Sequence, residues 1–96
     1  IDPGFGFGKT TAHNMQLFHA LNQFVATGMP VLVGVSRKRM IGELLGLPAD
    51  KRLIGSVILA VIAAQRGASI VRVHDVEETV QALRMLHLTH TPLVAE

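Results

Sequence analysis

Val31-Leu32-Val33-Gly34-Val35-Ser36-Arg37-Lys38-Arg39 starts as an unbroken apolar run and ends in a hydroxyl and three cations. A short run that is apolar at every position is the pattern of a parallel strand covered on both faces. Its polar end falls where such a strand would emerge from the sheet. In parallel α/β folds chemistry is done at that edge, because strand ends and helix N-termini converge there. Two other stretches repeat the arrangement. Upstream, Ile1-Asp2-Pro3-Gly4-Phe5-Gly6-Phe7-Gly8-Lys9-Thr10 reads as the last residue of a strand leading into a glycine-rich loop. Downstream, Ile70-Val71-Arg72-Val73-His74-Asp75 is an apolar start running into charge. Three such ends in succession point to one shared site.

Helical patterns separate them. From about Thr11 to Thr27 the apolar residues Leu17, Phe18, Leu21, Phe24 and Val25 form one stripe. Gly28 suits the position after a helix end, and Pro30 blocks continuation. Met40 to Leu45 reads as a short helix broken by Gly46-Leu47-Pro48. A longer helix is expected from about Asp50 to Arg66, with Ile54, Val57, Ile58, Val61 and Ile62 as its buried stripe and Gly67 as its end. Ile70 to Val73 is the next buried strand. Asp75 with Glu78 three residues on resembles a capping box, and an acidic first turn suits the helix dipole. Val76, Val80, Leu83 and Leu86 continue as the inner face to about His87, and Thr89 to Glu96 reads as frayed. Strand end and helix, taken three times over, imply right-handed crossovers and a parallel sheet. A closed barrel or wide sheet needs more strands than this, so the expected fold is the C-terminal part of a larger α/β unit.

Composition narrows the function. The chain has 96 residues, 49% hydrophobic and 17% charged, enough apolar content to build a core. It has no cysteine, which excludes disulfides and thiolate metal sites and fits a reducing, cytoplasmic setting. The longest apolar stretch, Val57 to Ala64, is too short to span a bilayer, and no secretory signal pattern is visible. The net charge of +2 is concentrated in Arg37-Lys38-Arg39 and Lys51-Arg52 and fits a small anion better than a nucleic acid. Tyr and Trp are absent, so single-strand stacking platforms are mostly lacking.

Several motif readings fail on spacing. Gly8-Lys9-Thr10 imitates the end of a phosphate-binding P-loop, but the required earlier glycine position holds Pro3. Gly4 and Gly6 begin a dinucleotide fingerprint whose third glycine position holds Lys9. The glycines otherwise permit a tight turn, with one of Phe5 and Phe7 as core and the other as a pocket wall. His13 and His19 do not line up on a helix for a metal, and His87 and His90 lack a neighbouring carboxylate.

Together the motifs carry a family resemblance. Asp2 to Thr10, His13-Asn14, Leu32 to Gly42, the R-x-x-G-S stretch Arg52 to Ser56, Ala63 to Ala68, and Arg72-Val73-His74-Asp75 resemble dihydropteroate synthase over nearly the whole chain. That family adopts a (β/α)8 barrel. The resemblance implies its last three β/α units, entered at the end of the sixth strand, so residues 1–96 are a partial pterin-binding domain. The implied reaction joins a pterin methyl diphosphate to p-aminobenzoate and releases pyrophosphate, with sulfonamides as competitors.

The resemblance also implies roles. Asp2 would bind the aminopyrimidine edge of the pterin, since a carboxylate accepts two N–H donors side by side; otherwise Asp2 opens a turn before Pro3. Lys38 would donate to the pterin ring. Ser36 and Arg37 would hold the p-aminobenzoate end, with Phe7 lining that pocket and Gly34 beside the substrate. Arg72 and His74 would bind the diphosphate, and their alternation with Val71 and Val73 puts them on one side of an extended segment. Arg72, His74 and Lys38 would carry the chemistry. A magnesium ion is implied, with ligands on earlier strands outside this chain, and a homodimer for the full-length enzyme. Two alternatives stand beside this: a pterin-binding methyltransferase domain, which should lack Ser36-Arg37-Lys38, and a non-catalytic fragment.

Overall fold

Val31, Val33 and Val35 are no more than 1% exposed, and around them the core is built. The structure, a computed structural model, describes residues 1–5 and 10–90. The expected strand is present as β1 (Leu32–Val33), paired in parallel with β2 (Ile70–Val71), Leu32 opposite Ile70 and Val33 opposite Val71. Ladder bonds continue past the short assigned ends: the Ser69 and Arg72 amides donate to the Val31 and Val33 carbonyls, both at 2.9 Å. On the other side the Leu32 amide donates to the Ile1 carbonyl at 2.6 Å, and the Ile1 amino group donates to the Pro30 carbonyl. That alternation is the bonding of a parallel neighbour, so Ile1 does sit at a strand end.

Helix α1 (Thr11–His19) is capped by the Thr10 hydroxyl, which accepts from the His13 amide at 3.2 Å. The single helix expected to Thr27 is instead two, because the backbone departs from helical geometry at Ala20 before α2 (Leu21–Val25). The step occurs between Phe18 and Leu21, and both are fully buried in the same core. Phe18 meets Phe5 edge-on, with ring centres 5.9 Å apart, so Phe5 is the core ring of its pair. Phe7 lies outside the described residues.

Helix α3 (Arg39–Leu45) contributes Met40 and Ile41 to the core. A 3-10 turn at Ala49–Lys51 precedes α4 (Leu53–Gln65), so the long helix starts later than the sequence indicates. Its buried face differs too. Ser56, Ala60 and Ala63 are buried, whereas Ile54 and Ile58 are 73% and 51% exposed. α4 is apolar on nearly every side, so periodicity did not distinguish its faces, and the small residues won because they let the helix approach the sheet closely. Gly67, at φ +101°, ends α4 with its Cα against Val25, where an added Cβ would lie 2.8 Å from a Val25 methyl.

Helix α5 (Val76–Thr89) packs on α4. It buries Thr79 and half-buries Leu83 and Leu86 while Val76 and Val80 are exposed, so the buried face is rotated from the stripe expected from sequence. The Thr79 hydroxyl donates back to the Asp75 carbonyl at 2.7 Å, which makes a buried polar residue inexpensive there. Extents of 50 × 34 × 18 Å make an open slab. Its radius of gyration, 14.2 Å, exceeds the roughly 12.5 Å of a compact domain of this length. No described helix is long and apolar enough to cross a membrane.

Candidate functional site

The ends of β1 and β2 are adjacent, so the residues that follow them meet. Gly34, Ser36 and Lys38 from the β1 side, and Arg72, Val73 and His74 from the β2 side, line one cleft of about 100 Å³. That is below the roughly 300 Å³ at which small-molecule sites begin, so the cleft is one wall or corner of a site. Its described cations are Lys38 and Arg72, with His74 between them in chemistry.

Arg72 crosses the β1 backbone at Gly34. A Cβ there would lie 2.5 Å from the Arg72 Nη2, 2.9 Å from Cζ and 3.0 Å from Nε. Glycine therefore makes room for the Arg72 guanidinium close against the strand. The other face of that guanidinium approaches Asp2: Nη1 is 3.8 Å from one carboxylate oxygen, with the Arg72 side chain 54% exposed. The second Asp2 oxygen accepts the Gly4 amide at 2.9 Å. Asp2 thus makes the local turn and also faces the site.

His74 is fixed through Ser36. The His74 amide donates to the Ser36 hydroxyl at 3.1 Å, and His74 Nδ1 lies 3.0 Å from the same oxygen. Ser36 is 5% exposed, so one buried hydroxyl ties the two strand ends together. Lys38 reaches back across the sheet edge, and its ammonium donates to the Phe5 carbonyl.

Arg37 is placed differently from its neighbours. Its φ is +54°, the one left-handed non-glycine residue among those described, a conformation costing about 1 kcal/mol or more. The turn sends its side chain away from the cleft lining and onto Asp75, with Nε to Oδ2 at 3.0 Å and a second bond from Nη2 to Oδ1. The Arg37 bonds hold the Asp75 carboxyl below its ordinary value of 3.8, and Asp75 in turn raises Arg37. This corrects the capping-box expectation. Asp75 is at the N-cap of α5, but its side chain caps nothing, because Arg37 occupies both oxygens.

Sequence reasoning brought Arg72, His74, Lys38, Ser36, Gly34 and Asp2 to one edge, and they are there. It did not give roles to Arg52, Ser56 and Gly42. Arg52 Nη1 donates to the Arg37 carbonyl at 3.2 Å, and the Ser56 hydroxyl accepts the Arg37 amide at 2.7 Å. The signal was present as the R-x-x-G-S spacing, which sets Arg52 and Ser56 one helical turn apart. Away from the cleft, Glu43 receives the Thr11 hydroxyl and Arg39, and these bonds hold its carboxyl below the ordinary 4.5.

Among the described residues no three His, Asp or Glu side chains gather as a metal site. The charged side chains lining the cleft, Lys38 and Arg72, are both cations, with Asp2 beside Arg72, which suits an anion rather than a divalent metal.

The comparisons agree with this geometry. The chain is 54% identical over 89 residues to the dihydropteroate synthase of Escherichia coli, covering 93% of this chain and 32% of that protein. It superposes with a TM-score of 0.87 and 55% identity on Yersinia pestis dihydropteroate synthase solved with a pterine-sulfa conjugate, covering 93% of this chain and 35% of that one. On the Xanthomonas albilineans synthase solved with 4-aminobenzoic acid the TM-score is 0.92 at 51% identity, covering 97% of this chain and 34% of that one. The chain therefore spans about a third of the length of the relatives it matches. The profile of the family described as pterin binding enzyme matches residues 1–74, the part that holds every cleft residue described above, and the chain belongs to that family.

Proposed function

We propose that this chain is the C-terminal three β/α units of a (β/α)8 dihydropteroate synthase, a partial pterin-binding domain. The full enzyme condenses 6-hydroxymethyl-7,8-dihydropterin diphosphate with p-aminobenzoate and releases pyrophosphate. The observation that carries this is the meeting of Gly34, Ser36 and Lys38 with Arg72 and His74 at two adjacent parallel strand ends. The pterine-sulfa and 4-aminobenzoic acid complexes of the related enzymes support the two substrate classes.

On this reading the carbon–oxygen bond to the diphosphate breaks first, and the leaving group departs with the electron pair. Arg72 and His74 hold the diphosphate, and Arg72, close against Gly34, also offers its plane to the pterin. Donors fixed in place before charge develops stabilise the transition state most. The arylamine nitrogen then attacks the electrophilic methylene and loses a proton to solvent or product pyrophosphate. Lys38 and Asp2 contact the pterin ring. Ser36 takes the p-aminobenzoate end, with Arg37 held beside it by Asp75, Phe7 on its apolar wall and sulfonamides as competitors. A magnesium ion would be held by residues of the full enzyme outside this chain and would help to neutralise the diphosphate. The resemblance further implies a cytoplasmic homodimer, for which the exposed apolar residues of α4 and α5 would provide surface.

The methyltransferase alternative is disfavoured by Ser36-Arg37-Lys38. The test is a chimaera in which this chain replaces the corresponding third of the Escherichia coli synthase. It should form dihydropteroate, whereas the 96-residue chain alone should not. A folded chimaera without turnover, or turnover by the chain alone, would overturn the reading.

A further inference from the structure

The geometry points to Arg52 and Ser56 as positioning residues for the p-aminobenzoate end of the site, acting through the backbone of Arg37. The proposal rests on the synthase reading above.

Arg37 is the turn residue between Ser36 and Lys38, both of which line the cleft. Its left-handed φ of +54° is not one that an L side chain prefers, so something outside the turn must hold it. Both of its backbone polar groups are held by the start of α4. The Arg37 amide donates to the Ser56 hydroxyl at 2.7 Å, and that hydroxyl donates in turn to the Arg52 carbonyl, also at 2.7 Å. The circuit closes through the Arg52 side chain, whose Nη1 donates to the Arg37 carbonyl at 3.2 Å. Ser56 is 3% exposed, so no water replaces its bond at low cost.

Gly42 completes the device. The Arg52 guanidinium lies against it so closely that an added Cβ would sit 2.6 Å from both Cζ and Nε. Arg52 Nε is buried and has no partner among the described residues. Of the other two nitrogens, Nη1 is committed to the Arg37 carbonyl and Nη2 lies against Gly42. The same layout recurs at the cleft itself, where Arg72 lies on Gly34. One arginine on a glycine faces the ligand, and the other faces the loop that meets the ligand.

The test uses full-length synthase carrying this segment, either the native protein or the chimaera above. Ser56→Ala should raise KM for p-aminobenzoate about tenfold, the loss of one buried hydrogen bond. Its kcat, and its KM for the pterin diphosphate, should change less than about threefold. Arg52→Lys keeps the charge and loses the fork, and should show the same split. The double variant should be less than additive, because both bonds hold one residue. Amide exchange at Arg37 should quicken in each. A lowered melting temperature with KM for p-aminobenzoate unchanged means a structural role only and overturns the proposal. If Ser56→Ala does not fold, Arg52→Lys decides alone by the same split. An unsubstituted protein without synthase activity would instead overturn the functional reading, and Arg37 exchange would then decide the positioning.

Discussion

Gly34→Ala separates the site from the fold more cleanly than removing any charged residue. A Cβ at position 34 would stand 2.5 Å from Arg72 Nη2 and 2.9 Å from Cζ. Ordinary contact begins at 3.4 Å, so the guanidinium must withdraw by about 0.9 Å. It can do so, since the Arg72 side chain is 54% exposed and its ion pair with Asp2 is long. Gly34 has no positive φ, so alanine fits its backbone. Replacing glycine at such a position stabilises by about 0.4–1 kcal/mol through the unfolded chain. The fold should therefore hold or gain slightly, while a donor to the leaving diphosphate moves by almost 1 Å. A displacement of that size costs roughly a hundredfold in rate. The assay pairs steady-state kinetics with thermal melting of full-length synthase carrying this segment. Near-normal kcat/KM in Gly34→Ala would refute the placement of Arg72 or its role on the diphosphate. A loss of more than about 2 kcal/mol in stability would refute the argument that only a flexible side chain gives way.

Arg72→Ala should lower turnover by about a hundredfold, roughly 3 kcal/mol, and Arg72→Lys should not rescue it, because an ammonium has no plane to offer the pterin; near-normal turnover in either variant counts against the assignment. Lys38→Ala should raise KM for the pterin substrate more than it lowers kcat, which the same kinetics would show. Phe18→Ala removes a ring that is 2% exposed, packed on Phe5 and covered by Arg66 at 5.2 Å; denaturant titration should show a loss of about 3–5 kcal/mol. Asp75 has its folded value lowered below 3.8, so its contribution is complete above that value and is lost as pH falls through the lower folded one. The melting-temperature gap between wild type and Asp75→Asn should accordingly hold above 3.8 and narrow as the pH falls below it, and a constant gap would contradict the pairing with Arg37.

β1 and the site edge were legible because burial on both faces leaves a one-dimensional mark, whereas β2, expected as a buried strand, has Ile70 53% exposed and Val71 half-buried. Val31 to Val35 is apolar at each step, and the change to Ser36-Arg37-Lys38 coincides with the strand's exit. The end of α4 at Gly67 was legible for a similarly local reason, its positive φ, whereas α2 ends at Val25 with Ala26 as its C-cap, before Gly28 is reached. Helix faces were not. α4 is apolar on nearly all sides, so its period pointed to large residues, while close approach to the sheet selected Ser56, Ala60 and Ala63. On α5 the buried Thr79 satisfies its hydroxyl within the helix, which no polarity pattern announces. Partner choice was equally hidden. Asp75 and Arg37 are 38 positions apart, and only the adjacency of β1 and β2 brings them together, so a local cap was the natural expectation.

That adjacency also divides labour among the cations. Arg37 gives two charge-assisted bonds to Asp75, whose side chain is 14% exposed. Drawing Arg37 onto a ligand would break both and release the start of α5 from β1. Arg72 faces Asp2 across 3.8 Å in an exposed setting, a contact of little net strength. An incoming diphosphate can take Arg72 at small cost, and it gains the backbone alignment already supplied by the Arg72 amide on the Val33 carbonyl at 2.9 Å. On the proposed reaction the heavily charged leaving group thus belongs at the β2 end, where the cation is free to follow charge as it grows. The singly charged arylamine belongs at the β1 end, beside an arginine held still. A substitution that needs one cation to move and one to stay is served by two ion pairs of unequal strength on neighbouring strands.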